Sequence, residues 1–264
     1  LGEWSKEGWY HYFLVTFLLK TPLLMVALIP AAAGGMVWWY RRIRHSAAIP
    51  WRLQMWLLLW VPFLALLAAV VITRANMGHR YILFLYFPLA VLLGVGCSKL
   101  IRGRPWIRWA TIAAIAGTFF SSLAAYPHFS TYFNVLTGSP YKALPYLWDS
   151  NTDWGQDLFY LESFLKEHQF EGANLALFGG NRPETYGITE YYWINAKHTF
   201  PLMPEQDLAE PNPQWPTAIS VNELFTIREQ YPDRYQGEPD YFVNSIVVYE
   251  PAAKNNRTPN EDTP

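Results

Sequence analysis

Leu144-Pro-Tyr-Leu-Trp-Asp-Ser-Asn-Thr-Asp-Trp-Gly-Gln-Asp157 divides the chain: the residues before it are patterned for lipid and those after it for water. Within it Asp149, Asp153 and Asp157 recur at a spacing of four, interleaved with Ser150, Asn151, Gln156, Trp148 and Trp154, and a helical pattern starts at Leu158. Two readings fit. In one, Asp149, Ser150 or Asn151 caps the helix that carries Leu158, Leu161, Phe164 and Leu165, with Asp153 and Asp157 near the positive end of its dipole. In the other, Asp149, Asn151, Asp153 and Trp154 form the rim of a polar site just outside a membrane, where indole rings stack on sugar faces.

The composition requires a split architecture. Of 264 residues, 52% are hydrophobic, 17% aromatic and 16% charged, too apolar for an ordinary soluble domain and too polar near the end for a purely membrane one. A formal net charge of −1 hides an asymmetry, with basic residues concentrated in the first half and acidic ones in the second. The basic clusters lie between apolar spans, so nucleic acid is not an expected partner. The single cysteine, Cys97, sits in an apolar run and leaves no internal disulfide. Gly2-Glu-Trp-Ser-Lys-Glu-Gly-Trp-Tyr-His-Tyr12 is neither a signal peptide nor a charged leader; it reads as a loop entering a helix, as expected of a processed chain or the later part of a longer one.

Four apolar runs, residues 12–39, 53–72, 81–100 and 109–125, are each expected to cross a bilayer core of ~30 Å. Residues 1–126 are therefore a transmembrane helical region. Lys20 interrupts the first run. Its ammonium either snorkels to the surface or meets an anion in a wet cavity, and a phosphate would suit it. The loops holding Arg41, Arg42, Arg44 and Arg52, and Lys99, Arg102, Arg104 and Arg108, are the richest in positive charge and so are expected to be cytoplasmic. The turn at 73–80 and everything past Tyr126 then lie outside, with tryptophans and tyrosines such as Trp9, Trp38, Trp51 and Trp109 near the interfaces.

From Pro127 the pattern is that of a small extracytoplasmic α/β domain, residues 127–251. Helical periodicity over 158–168, short strands at 173–178, 217–221 and 245–249, and a helix over 222–230 predict a mostly parallel sheet covered by helices. Residues 191–216, rich in proline and polar side chains, read as a long loop, and residues 252–264 as a disordered tail. Gly179-Gly-Asn-Arg-Pro183 is read as a plain turn, since neither GxGxxG nor a P-loop lysine accompanies it. No HExxH, CxxC or serine elbow occurs, so metal-hydrolase and triad chemistry have no starting point and no cofactor is expected.

The opening 2–22, the His79-Arg-Tyr-Ile-Leu83 motif, Tyr126-Pro-His-Phe-Ser-Thr-Tyr-Phe-Asn134 and, most specifically, Asp149-Ser-Asn-Thr-Asp-Trp-Gly-Gln-Asp157 resemble the later part of bacterial membrane glycosyltransferases of the GT-C fold. These are the protein mannosyltransferases and aminoarabinose transferases of glycosyltransferase family 39. With the 173–180 and 217–224 segments the similarity extends over nearly the whole chain; Phe84 stands where relatives usually have an early proline. The resemblance implies a multi-pass protein of the bacterial cytoplasmic membrane that moves a sugar from a polyprenyl-phosphate donor to an acceptor on the outer face. It also implies that the catalytic acids sit on an early external loop that this chain does not contain, so that the chain by itself supplies no catalytic base. An inverting transfer needs that base and cations for the departing phosphate; Lys20, His79 and Arg80 are the expected lipid-phosphate ligands.

Three functions follow as expectations: the C-terminal portion of a lipid-linked sugar transferase, partnered by the N-terminal half of the same enzyme; an inactive accessory subunit packed against other membrane subunits; and, with least support, a small transporter.

Overall fold

The structure, a computed structural model, describes residues 8–43, 49–74, 76, 78–147, 151–194 and 210–251. Asp149, Trp148 and Ser150, and the expected tail 252–264, lie outside the described residues. The chain divides into two compact units, Leu1–Gly138 and Ser139–Pro264.

The first unit is helical: α1 (Tyr12–Lys20), α2 (Leu23–Ile43), α3 (Ile49–Thr73), a 3-10 segment His79–Leu85 leading into α4 (Tyr86–Ile101), and α5 (Pro105–Leu123). Three stretches are long and apolar enough to cross a membrane, Leu23–Arg41, Gln54–Thr73 and His79–Ile101. One expectation is corrected here and one is left as it stood. The run 12–39 is not one helix, because Pro22 forces the preceding residue out of the helical region: Thr21 is extended, at φ −103° and ψ 137°. The fourth expected span does form a helix, α5, but it is less apolar than the other three. It carries Arg108 and a series of hydroxyls that bond back to its own carbonyls, Thr111 to Ile107 at 2.8 Å, Thr118 to Ala114 at 2.9 Å and Ser122 to Thr118 at 3.0 Å.

Small residues let α2 and α4 approach closely, as they do where lipid on both sides removes the hydrophobic drive between helices. Ala32 is fully buried, and a Cβ added to Gly96 would lie 2.4 Å from the Ala32 Cβ and 2.7 Å from its carbonyl oxygen. Leu28 and Cys97 complete that contact.

The second unit is a mixed α/β fold. Its five-stranded sheet has the order β2-β1-β3-β5-β4, built from β1 (Ala173–Ala176), β2 (Tyr191–Trp193), β3 (Thr217–Ser220), β4 (Tyr241–Val243) and β5 (Ile246–Tyr249). β2 and β3 flank β1 in parallel, whereas β3, β5 and β4 pair antiparallel. The sheet is thus more evenly mixed than the sequence predicts, and the expected loop at 191–216 contributes an edge strand at its start. Alternate side chains fill opposite faces. Leu175, Ala218, Ile246 and Val248 pack beneath α7 (Leu158–Glu167), through Leu158, Leu161 and Leu165. Ala176, Ile219 and Val247 pack beneath α8 (Leu224–Gln230), through Leu224 and Ile227. Burial on both faces explains why β5 is an unbroken apolar run and why β1 and β3 are apolar apart from Asn174, Thr217 and Ser220, all three of them buried. A one-turn helix, α6 (Pro140–Ala143), opens this unit, its Ser139 hydroxyl accepting from the Lys142 N–H.

Candidate functional site

The break after α1 leaves helix-terminal carbonyls that need donors in an apolar setting. Asn134 supplies them: its side-chain N–H donates to the carbonyls of Leu18 at 2.5 Å and Thr21 at 2.8 Å, and its backbone N–H donates to Leu19 at 2.9 Å. Its own Oδ1 accepts from Leu136 N. The segment after α5 is thereby folded onto the end of α1.

Lys20, the last residue of α1, reaches the same place. Its ammonium donates to the Ser130 carbonyl at 2.8 Å and lies 4.2 Å from the centre of the Phe133 ring. Next to it Thr21 Oγ1 shares a 2.5 Å hydrogen bond with the Tyr86 hydroxyl, which in turn meets His79 Nε2 at 3.0 Å. Lys20 and His79, singled out in the sequence, therefore converge on one polar cluster with Thr21, Tyr86 and Asn134. Arg80 does not join it by any of these contacts: its side chain is exposed, with the guanidinium 5.2 Å from the Tyr81 ring centre.

Thr21, Tyr86 and Asn134 were not picked out by sequence reasoning. Asn134 had a signal, since it ends the Tyr126–Asn134 motif, but Tyr86 is hidden inside an apolar run. The electrostatic setting is basic: the unit Leu1–Gly138 contains twelve Lys and Arg against two acids, Glu3 and Glu7.

The acidic string has a different environment in the second unit. Asn151 and Asp153 are 1% and 2% exposed, whereas Trp154 is 45% exposed and packs edge-on against Phe178. Asp153 Oδ2 accepts from the Ser220 hydroxyl at 2.5 Å and Oδ1 from the Gly155 N–H at 2.7 Å. Asp157 Oδ2 accepts both from the Ser245 N–H at 3.0 Å and from its hydroxyl at 2.5 Å. Thr152 donates to Asn222 Oδ1 at 2.5 Å, and Asn181 donates to the Gly155 carbonyl at 2.9 Å.

The sites of attachment explain the motif. Ser220 and Asn222 stand at the end of β3, and Asn181 follows β1, so the string fills the crevice at the carboxyl ends of the parallel strands where α/β folds commonly place a ligand. Gly155, at φ +76°, and Gly179, at φ +101°, allow the close approach: a Cβ on Gly155 would sit 2.7 Å from Asn181 Nδ2, and one on Gly179 3.1 Å from the Trp154 carbonyl. The Gly179-Gly180 turn thus holds the chain's own backbone. Asp157 occupies the N-cap position of α7, yet its carboxylate makes no cap bond. Of the expected caps, Asn151 stands seven residues before Leu158 and does not cap α7, and Asp149 and Ser150 lie outside the described residues.

Burial pushes the Asp153 carboxyl up to about 6; the Ser220 hydroxyl and Gly155 N–H pull it down, and the nearby Asp157 adds to the rise. A folded-state value above the ordinary 3.8 means that stability from protonated Asp153 is complete below about pH 4 and is lost as pH rises through about 6. We expect the unfolding midpoint of this unit, followed by fluorescence from pH 4 to 7.5, to fall by an amount equivalent to roughly 2–3 kcal/mol from this group. Asp153→Asn should flatten that slope. An unchanged slope in the variant would remove Asp153 as its source.

A comparison with protein-family models, with curated proteins and with solved structures finds no match to this chain. Among the described residues no group of His, Cys, Asp and Glu is arranged to hold a metal ion. The architecture is that of a membrane protein with a few apolar spanning helices and a soluble mixed α/β domain.

Proposed function

We propose that this chain is the donor-phosphate-recognising, C-terminal portion of a membrane glycosyltransferase that uses a polyprenyl-phosphate sugar. The observation that carries the reading is the Lys20 ammonium, held at the broken end of α1 on the polar cluster that Thr21 and Tyr86 share with His79, in a unit with twelve cationic side chains and two acids. A phosphate monoester or diester at a lipid headgroup is an anion suited to this cationic setting, and its long apolar tail is accommodated by the bilayer. Arg80, exposed one residue beyond His79, is placed in this reading at the headgroup level, where it steers the anion.

The chemistry assigned to this chain is charge stabilisation of the departing phosphate. Lys20 provides a positive charge whose direction is fixed by Ser130 and Phe133, and Tyr86 fixes the His79 ring. No residue of this chain is proposed as the base for the acceptor hydroxyl. With α5 crossing as the fourth span, the arginine-rich loops lie in the cytoplasm of a bacterial cell and the α/β unit outside it. The family likeness of the His79-Arg80-Tyr81, 126–134 and 149–157 motifs belongs to this proposal and supports it.

The test is binding of a polyprenyl phosphate to the full chain in polyoxyethylene detergent, measured against the parent polyprenol. Lys20→Met is expected to weaken phosphate binding about tenfold, as loss of a charge-assisted contact does, and Arg80→Ala several-fold, with polyprenol binding unchanged. Equal effects on phosphate and alcohol, or none, would reject the site.

A second reading, an accessory subunit, draws on α3. None of the residues in its span Gln54–Thr73 is buried, and a shallow apolar groove is lined by Gln54, Leu57, Leu58, Val61 and Pro62. A helix so bare has room for further spans of a larger complex. Copurification of fixed membrane partners that protect this face from lipid-soluble labels would favour it.

A further inference from the structure

The α/β unit contains a cleft of about 290 Å³ that the acidic string does not touch, between the segment 211–217, the turn 233–240 and the end of β5. Its aromatic surfaces are Trp215, Tyr235 and Tyr249, and its lining charges are the carboxylates of Asp233, Asp240 and Glu250 and the guanidinium of Arg234, with the Arg228 guanidinium behind the wall on the Tyr235 carbonyl and the Tyr249 hydroxyl. We propose that this cleft binds a small organic ammonium ion: a protonated amine or a quaternary ammonium group on a short carbon skeleton.

Three features point to that class. The first is charge, since the three carboxylates outnumber the guanidinium groups of Arg234 and of Arg228 behind the wall, which disfavours an anion and attracts a cation. The second is the combination of those carboxylates with indole and phenol rings, whose faces stabilise an ammonium through the ring quadrupole. The third is rigidity. Arg228 donates to the carbonyls of Tyr235 at 2.7 Å and Gly237 at 2.9 Å, and the Tyr249 hydroxyl donates to the Tyr235 carbonyl at 3.0 Å. These bonds hold Tyr235 at φ +58°, a conformation costly for a side chain of its size. The Tyr235 hydroxyl meets Thr217 Oγ1 at 3.1 Å, and Trp215 is stacked on Tyr192 with ring centres 5.2 Å apart. The walls are therefore set before a ligand arrives, which lowers the entropic cost of binding. At this volume the cleft admits a group the size of a lysine side chain and excludes most drug-sized molecules.

This inference stands independently of the lipid-phosphate reading, which uses the other unit. It is tested on the full chain in polyoxyethylene detergent, which presents neither an ammonium nor a sugar, by saturation-transfer NMR. The probes are tetramethylammonium, butylammonium and, as the neutral comparison, methyl glucopyranoside. Both cations are expected to bind saturably and to weaken as salt is added. Asp240→Asn combined with Glu250→Gln should weaken them about tenfold. The amides can keep the acceptors that serve the Glu250 N–H and the Tyr241 hydroxyl, so an unchanged melting midpoint is expected alongside. Arg234→Gln should strengthen both cations. Lack of saturable binding by either cation, indifference to the double substitution, or a glucoside that competes as well as the cations and ignores Arg234→Gln would each overturn the proposal.

Discussion

Gly96→Val is expected to drive α2 and α4 apart and to lower the stability of the helical unit by about 3 kcal/mol, the upper range for overpacking a tight contact. The reason is that the obstruction is backbone and cannot rotate away. The first atom added would come within 2.4 Å of the Ala32 Cβ, 2.6 Å of its Cα and 2.7 Å of its carbonyl oxygen. Valine then adds two methyl groups to a position that cannot hold one. In a bilayer the helices gain little from hydrophobic exclusion, so a lost close approach is not recovered by burying something else. Thermal aggregation followed by fluorescence-detected size exclusion should show the loss. Ala32→Gly placed with Gly96→Ala should recover part of what Gly96→Ala alone removes. A valine variant as stable as the parent would mean that α2 and α4 are not in contact at this point.

Asp157→Ala should destabilise the α/β unit by about 4 kcal/mol, counting roughly 2 kcal/mol for each of two stranded donors. Ser245 is fully buried, and both its N–H and its hydroxyl are satisfied by one oxygen of Asp157. Alanine leaves both without that acceptor and detaches the string from the turn before β5. Adding Ser245→Ala should return a part of the loss by removing one stranded group, which makes the pair suitable for a double-mutant cycle. Unfolding in urea read from the tryptophans is the measurement. A cost below about 1 kcal/mol would show the contact to be replaceable by water.

The sequence makes the division into a lipid half and an aqueous half legible because hydropathy is a local property. Strands β1, β3 and β5 were legible for the same reason, as apolar runs between turn signals. The destinations of polar side chains were not. Nothing in the spacing of Asp153 and Asp157 shows that their partners are Ser220 and Ser245, which arrive from distant strands. The same carboxylates read equally well as a helix cap or a sugar rim until the third dimension is added. The edge strand Tyr191–Trp193 escaped because the prolines and polar residues that follow it dominate the window. In the helical unit Lys20 and His79 were conspicuous as polar residues in apolar surroundings. Asn134 gains meaning only once Pro22 has broken the helix and left carbonyls to be met. The cleft around Trp215 and Tyr235 was invisible for a further reason: its walls come from three separate stretches, none with a pattern of its own.

The topology proposed above puts the arginine-rich loops and the α/β unit on opposite sides of the membrane, with Lys20 and His79 on the side of the latter. Cysteine labelling tests this directly, because Cys97 is the single cysteine and is buried in α4. In a Cys97→Ala background, Glu167→Cys marks the exposed end of α7 and Arg104→Cys the exposed turn before α5. A membrane-impermeant maleimide applied to intact cells should label the first at once and the second only after the membrane is opened. Labelling of Arg104→Cys from outside with Glu167→Cys protected, or both on the same side, would contradict the account.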